Sequence, residues 1–303
     1  MCYSKKGFDN IREKLDDTKI TDLIKQLKPK YSQEKMCKIF KISRATYYFN
    51  LNKTTTKTQE RYELLSSQIK RIYEENSKIY GAPKIHAILN REGYPASIKL
   101  VQRIMRALGL SSITRKKYKP QTIKSKVEAP ASNLLKQDFS TTSINEKIVG
   151  DITYIYTKDF GWTYLASFMD LHTNEIKGWE YSTTMTTDIV LKALSKLNLN
   201  SDLTGCIIHT DQGSQYTSKD YVAKVKDLGA TLSYSRKGNP YDNAPIESFH
   251  SVLKKELIYQ SKPKTFEETK KSLFKYIEGW YNNHRIQKKL GYLSPADYQK
   301  QVA

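Results

Sequence analysis

Apolar residues recur at three- and four-residue intervals through the first part of the chain and at every second position further on, so helices are expected first and a sheet later. A short helix over 19–27 stops before Pro29. Residues 31–48 then read as two short helices about a tight turn, with Met36, Ile39 and Phe40 inward on the first and Ser43 capping the second. This is helix-turn-helix grammar, and it places Arg44, Thr46 and Tyr47 near the exposed start of the second helix, where groove contacts are made. A longer amphipathic helix covers 54–76 through Tyr62, Leu65, Ile69, Ile72 and Tyr73. Helices from Pro83 to just before Gly93 and over 97–109, the latter capped by Ser97, form a second helix-turn-helix candidate. Leu100, Val101, Ile104, Met105 and Leu108 make its apolar stripe; Lys99, Gln102, Arg103 and Arg106 occupy the other face, as a solvated or a DNA-facing stripe. In isolation, an ordinary helical hairpin accounts for either segment equally well.

Periodicity vanishes over 114–130, where Arg115, Lys116 and Lys117 open a basic, proline-bounded stretch suited to lie along a phosphate backbone. Beyond it, β-rich runs at 147–156, 162–171 and 175–181 with short turns suggest an antiparallel meander. A helix (187–197), a buried strand (205–209), a helix (219–228), a strand (231–235), a Gly/Pro/Asn loop (236–243) and a helix (244–258) follow. That order is the one found in ribonuclease-H-like folds: an α/β core with a mixed five-stranded sheet and helices, here preceded by all-α helix-turn-helix domains. The expected divisions are an N-terminal helical region 1–53, a helical DNA-binding domain 54–113, a basic linker 114–140, the catalytic core 141–260 and a C-terminal helical extension 261–303.

Charge sharpens this. The 303-residue chain carries a net +20, with 29 Lys and Arg against 12 Asp and Glu through Pro130 and 22 against 19 beyond. A long polyanion is the natural partner of the first segment, although a solubilising basic surface would look similar. Cys2, Cys37 and Cys206 form no CxxC pair and five scattered histidines offer no zinc spacing, which points to a reducing compartment. No apolar run is long enough to span a membrane and the lysine-rich start lacks a signal-peptide core, so a cytoplasmic protein with no membrane partner is expected.

Three acids then carry the chemistry. Asp151 lies in a strand, Asp211 ends another, and Glu247 sits in the first turn of a helix opened by Asn243 and Pro245. In a fold whose first and fourth strands are central neighbours, the three meet, and carboxylates from separate elements are what two hard divalent cations need for phosphodiester chemistry. No catalytic histidine or cysteine is then required. Asp170 also ends a strand but belongs to a hairpin turn that it is expected to cap. His209 shares a face with Asp211 and is expected to support the metal site without binding the ion.

Thirty-five residues separate Asp211 from Glu247. With Asp151-Ile-Thr-Tyr-Ile155, His209-Thr-Asp-Gln-Gly-Ser-Gln-Tyr-Thr217, Ser235-Arg-Lys-Gly-Asn-Pro-Tyr-Asp-Asn-Ala-Pro-Ile-Glu-Ser-Phe-His250 and Tyr281-Asn-Asn-His-Arg-Ile-Gln-Lys-Lys-Leu-Gly-Tyr-Leu-Ser-Pro-Ala-Asp-Tyr298, the chain resembles the DDE transposases of the IS3 family of bacterial insertion sequences, in particular their second-reading-frame product, and is similar to retroviral integrases. Tyr80-Gly-Ala-Pro-Lys-Ile-His86 and Met105-Arg-Ala-Leu-Gly109 extend the resemblance into the helical region. It departs from the family at Ile148 and Gly150, where Trp and Thr are usual. The resemblance implies a polynucleotidyl transferase that cuts and joins DNA at element ends. It implies metal ligation by Asp151, Asp211 and Glu247, two Mg²⁺ ions that Mn²⁺ replaces, and a terminal-DNA contact at Lys254. It also implies loops bordering the site at Gln212, Gly213 and Gln215 and at Gly238, Asn239 and Tyr241. Separately, the closing aromatics at helical spacing are expected to be core, with Asn282, His284 and Arg285 approaching DNA. The implied partners are double-stranded DNA of transposon ends and target, further copies of the chain on that DNA, and an upstream-frame product joined by frameshifting. Two rivals are a DNA-binding regulator without catalysis and a nuclease that cuts RNA–DNA hybrids.

Overall fold

Side-chain caps set the first helices. The structure, a computed structural model, describes residues 15–52, 56–114, 132–199 and 201–302. Helix α1 (Asp17–Leu27) begins where Asp16 accepts from the Lys19 amide at 2.9 Å, and α3 (Arg44–Leu51) where Ser43 accepts from Thr46 at 2.9 Å. Between them lies α2 (Gln33–Ile39), followed by a turn through Lys41 at φ 50°. Ile20, Ile24, Met36, Cys37, Phe40 and Tyr47 form their common core. Two assignments change, one in each direction. Ile39 is 41% exposed, because on a seven-residue helix Met36, Cys37 and Phe40 share one face and Ile39 lies off it. Tyr47, expected at the groove-facing end, is buried; Tyr48 and Phe49 face solvent instead.

The chain divides into two units, Met1–Gln68 and Ile69–Ala303, and the division falls within α4 (Lys57–Glu75). Leu65, Ile69, Ile72 and Tyr73 are buried on that helix, while Tyr62, counted in its apolar stripe, is exposed. In the second unit α5 (Ala82–Arg91) packs against α6 (Ile98–Ala107). Ile85, Leu89, Val101, Ile104 and Met105 are buried, whereas Leu108 caps the helix end and is exposed.

The sheet follows, built from β1 (Lys147–Thr157), β2 (Gly161–Asp170), β3 (Ile176–Ser182), β4 (Ile207–Thr210) and β5 (Thr231–Tyr234) in the order β3-β2-β1-β4-β5. The first three pair antiparallel; β4 runs parallel to β1 with Ile148 beside Ile208, and β5 parallel to β4. Helices α7 (Thr187–Leu199), α8 (Ser214–Thr217) and α9 (Lys219–Asp227) connect the later strands, then α10 (Ala244–Glu256) and α11 (Phe266–Phe274) lead through a π-helical stretch, Lys275–Tyr281, to α12 (Pro295–Val302). This is the ribonuclease-H-like arrangement. Ile148, Phe168 and Ile208 join α7 and α9 in one core; Val149, Ile155 and Leu165 join α10, α11 and the π-helical stretch in the other. Successive β1 residues face opposite layers, so Asp151 shares the α10 side with Val149 and Ile155. Residues 132–140, compositionally part of the linker, pack on the core through buried Leu135 and through the Leu134 amide, which donates to Ser233.

The departure at Gly150 has a packing cause. Phe168 pairs with it across β1–β2, and a Cβ there would lie 2.5 and 2.7 Å from the Phe168 ring and 3.2 Å from Thr210. The ring occupies the space that any side chain at this position would need. Gly150→Ala should therefore destabilise the fold by about 1–3 kcal/mol, and adding Phe168→Leu should recover most of that loss in thermal melts. An unchanged melting temperature for the single variant would show that the ring moves aside freely.

Candidate active site

Asp151 pairs across the sheet with Ser167 on β2. One buried imidazole links the two: His250 on α10 has Nε2 2.7 Å from Ser167 Oγ and Nδ1 3.3 Å from an Asp151 carboxylate oxygen. His250 thereby orients Asp151. A second tie comes from Asn243, whose side-chain amide donates to the Gly150 carbonyl at 3.0 Å. The start of α10 is thus fastened to the peptide unit that precedes Asp151.

Asp211 follows β4, where its carboxylate accepts from the Gly213 amide at 2.9 Å. The backbone at Gly213 does not require glycine, since its φ of −58° is open to any residue. Its small size matters for another reason. A Cβ there would come within 3.0 Å of the Asp211 carboxylate. Glu247 projects from the first turn of α10 and, like Asp211, is exposed.

Electrostatics connect the three acids. Desolvation raises the Asp211 carboxyl above its ordinary pKa, the Gly213 amide opposes this, and the charge of Asp151 adds to it. Glu247 is raised by desolvation and then by Asp151 and Asp211. Like charges held in one neighbourhood call for a cation, and hard carboxylate oxygens suit a divalent one, so the residues fit a metal site in kind. Among the described residues, no three His, Cys, Asp or Glu side chains are drawn into a closed ligand cluster. Asp211 and Glu247 both stand at the surface, open to an ion from solvent.

The loop before α10 is built on Asp242, a residue the sequence pattern did not single out. Fully buried, it accepts from the Arg236 backbone and guanidinium at 2.8–2.9 Å, from Gln137 at 2.8 Å and from Asn133 at 2.9 Å. Arg236 holds its carboxyl far below the usual range. Within that loop Gly238 is left-handed at φ 70°, Asn239 accepts from the Tyr241 amide, and Tyr241 is exposed. His209 turns away from Asp211, with its ring nitrogens 2.8 and 3.1 Å from the hydroxyls of Ser233 and Ser235. Burial pushes its pKa down to about 4, so it is neutral at neutral pH. Gln212 and Gln215 donate to the Ser235 and Met185 carbonyls, and Asp170 caps its hairpin by accepting from His172 and Thr173.

The Integrase core domain family matches residues 142–240 and, by a second description of the same name, 247–302; an HTH-like domain matches 59–118. The transposase for insertion sequence element IS904 of Lactococcus lactis is 39% identical over 252 residues, covering 82% of this chain and 99% of that protein. Transposase InsF for insertion sequence IS3A of Escherichia coli is 33% identical over 279 residues, covering 91% and 96%. The chain belongs to the IS3-family transposases. The catalytic core domain of BIV integrase aligns with 52% of this transposase and 95% of its own length at 19% identity and a TM-score of 0.40. Divalent-metal dependence goes with the integrase core family.

In this transposase Lys254, two turns beyond Glu247, is half-buried; desolvation lowers its pKa and the charge of Asp151 opposes that. Arg44 is exposed at the start of α3, and Lys99, Arg103 and Arg106 are exposed on the outer face of α6. Arg115, Lys116 and Lys117 lie outside the described residues. Two residues expected near DNA serve the fold instead: Asn282 is buried and bonds both backbone groups of Ile176, and Arg285 forks onto Glu256. His284 is exposed.

Proposed function

We propose that this transposase cuts DNA at the ends of its own element and joins them to target DNA, using Asp151, Asp211 and Glu247. The observation that carries this reading is the parallel pairing of β1 with β4 and the two ties from α10 to Gly150 and Asp151, which hold the elements bearing the three acids side by side. Bound to these three carboxylates, two Mg²⁺ ions, or Mn²⁺ in their place, supply Lewis-acid activation of the attacking oxygen and charge neutralisation at the leaving one. In the first step a water oxygen bonds to phosphorus while the bond to the 3′ oxygen breaks and that oxygen takes up a proton. The oxygen of this 3′-hydroxyl, giving up its proton, then bonds to a target phosphorus while that phosphorus loses its bond to the target's 3′ oxygen, which takes up a proton, so no covalent protein intermediate forms.

The chain's own residues prepare this. His250 and Ser167 orient Asp151, the Gly213 amide orients Asp211, and Asn243 sets the helix that bears Glu247. Lys254 supplies a cation for a terminal phosphate, and Arg44, Lys99, Arg103 and Arg106 with Arg115, Lys116 and Lys117 supply sequence-independent attraction for duplex DNA. Further copies of the chain assembled on that DNA, and an upstream-frame product fused by frameshifting, enter this proposal from the family resemblance. Among the described residues no helix is long and apolar enough to cross a membrane. Incubated with duplexes that carry the element's inverted ends and Mg²⁺, the purified chain should yield strands with 3′-hydroxyl ends and then joined products. Binding without products would indicate a regulator, and a preference for RNA–DNA hybrids a nuclease; either overturns the proposal.

A further inference from the structure

Four large aromatic side chains crowd the free end of the β1–β2 hairpin with their rings in solvent. Tyr154 and Tyr156 flank the buried Ile155, while Phe160 and Trp162 lie at and beyond the turn, each 46% to 61% exposed. Tyr154 meets Trp162 edge-on at 6.4 Å and Tyr164 at 5.3 Å, and Tyr156 meets Trp162 at 5.5 Å. These rings brace one another and leave open faces, an exposed apolar patch of the kind that marks a binding surface. Tyr154, Tyr156 and Trp162, with Ile258 and Tyr259, line a groove of about 790 Å³. Lys254, two turns along α10 from Glu247 and on the same face, lines the same groove, so the groove lies against the helix that bears one of the acids. Lys262 and Lys264 border its continuation beside Tyr156.

The occupant must offer flat apolar faces to the rings and negative charge to the lysines. A second copy of a chain with net charge +20 brings positive charge to a lysine-lined groove. Paired DNA hides its base faces in its own stack. Unpaired nucleotides meet both requirements, because every base has a face that stacks on an aromatic ring and every linkage carries a phosphate. We propose that Tyr154, Tyr156 and Trp162 seat unpaired nucleotides of the DNA end that the acidic site processes. This inference rests on reading the acidic site as a DNA-processing centre, and deepens it: the substrate is an element end frayed at the cut.

The test compares, with the full chain, a blunt duplex and the same duplex carrying a short unpaired tail labelled with a fluorescent base analogue. The unaltered protein should bind the tailed duplex more tightly and quench the tail. Tyr156→Ala combined with Trp162→Ala should weaken tailed binding roughly tenfold and leave blunt binding unchanged, whereas Trp162→Phe, which keeps a stacking face, should retain the preference. Both variants should melt as the parent does, since these rings are exposed. An unchanged tail preference in the double variant overturns the proposal. So does a shift in oligomeric state by sedimentation with tail affinity intact, which would make the rings a contact between copies. If the unaltered protein shows the ring-dependent tail preference yet joins no DNA, the reaction assigned to the acids fails while the platform stands.

Discussion

Asp151→Asn, Asp211→Asn and Glu247→Gln should each leave the transposase bound to duplex DNA but lower strand joining by about a thousandfold or more. Loss of one ligand forfeits several kcal/mol of charge stabilisation in the transition state, and each ~1.4 kcal/mol is a factor of about ten in rate. Duplex affinity should stay within about threefold, because it derives from basic residues elsewhere. Retained joining in any one variant would remove that residue from the site. Thermal melting gives a readout apart from activity. Mg²⁺ should raise the melting temperature of the parent and do so less in each variant. Without metal the sign reverses. The Asp211 and Glu247 carboxyls hold protons more tightly in the folded chain than in the unfolded one. Their contribution to stability therefore falls as pH rises from the ordinary carboxylate range through their raised values, and Asp211→Asn or Glu247→Gln should flatten that decline.

Glu256→Gln should cost about 3–5 kcal/mol of folding stability, out of the roughly 5–15 kcal/mol typical of a domain. Glu256 closes α10 at the end opposite Glu247 and is nearly buried, as is Arg285, which donates to it at 2.8, 3.0 and 3.1 Å; Tyr276 donates at 2.7 Å. Removing the charge strands a guanidinium out of water. Replacing both partners by Met should recover part of the loss, since no charge is then stranded and only the Tyr276 hydroxyl loses its acceptor. Denaturant unfolding of the single and double variants decides the matter. A loss below about 1 kcal/mol in the single variant would mean that the pair is solvated and does not anchor the helix.

The strands were legible because alternation over 147–156 and 162–171 leaves one register that buries both faces. Asp151, Asp211 and Glu247 stood out by motif and spacing, and element order was enough to place Asp151 and Asp211 on neighbouring strands. What escaped was polar and long-range. Nothing in a hydrophobic pattern marks Asn243 as the partner of the Gly150 carbonyl, or Asp242 as the acceptor for Arg236, Gln137 and Asn133. A signal was present in the run Asp242-Asn-Ala-Pro, where two side chains able to cap or turn stand just before a helix. Short helices misled for another reason: with only two turns, Ile39 and Tyr47 fit either an inward or an outward stripe, and packing alone decided.

The core beneath Asp151 draws on residues as early as Leu135 and as late as Tyr281, with Leu273, Tyr276 and Ile277 between α10 and the end of the π-helical stretch. A polypeptide still emerging from the ribosome therefore cannot complete its cutting centre until that last aromatic has been synthesised and docked. Abortive products that stop short of Tyr281 should be inert, which spares the host genome from half-made recombinase.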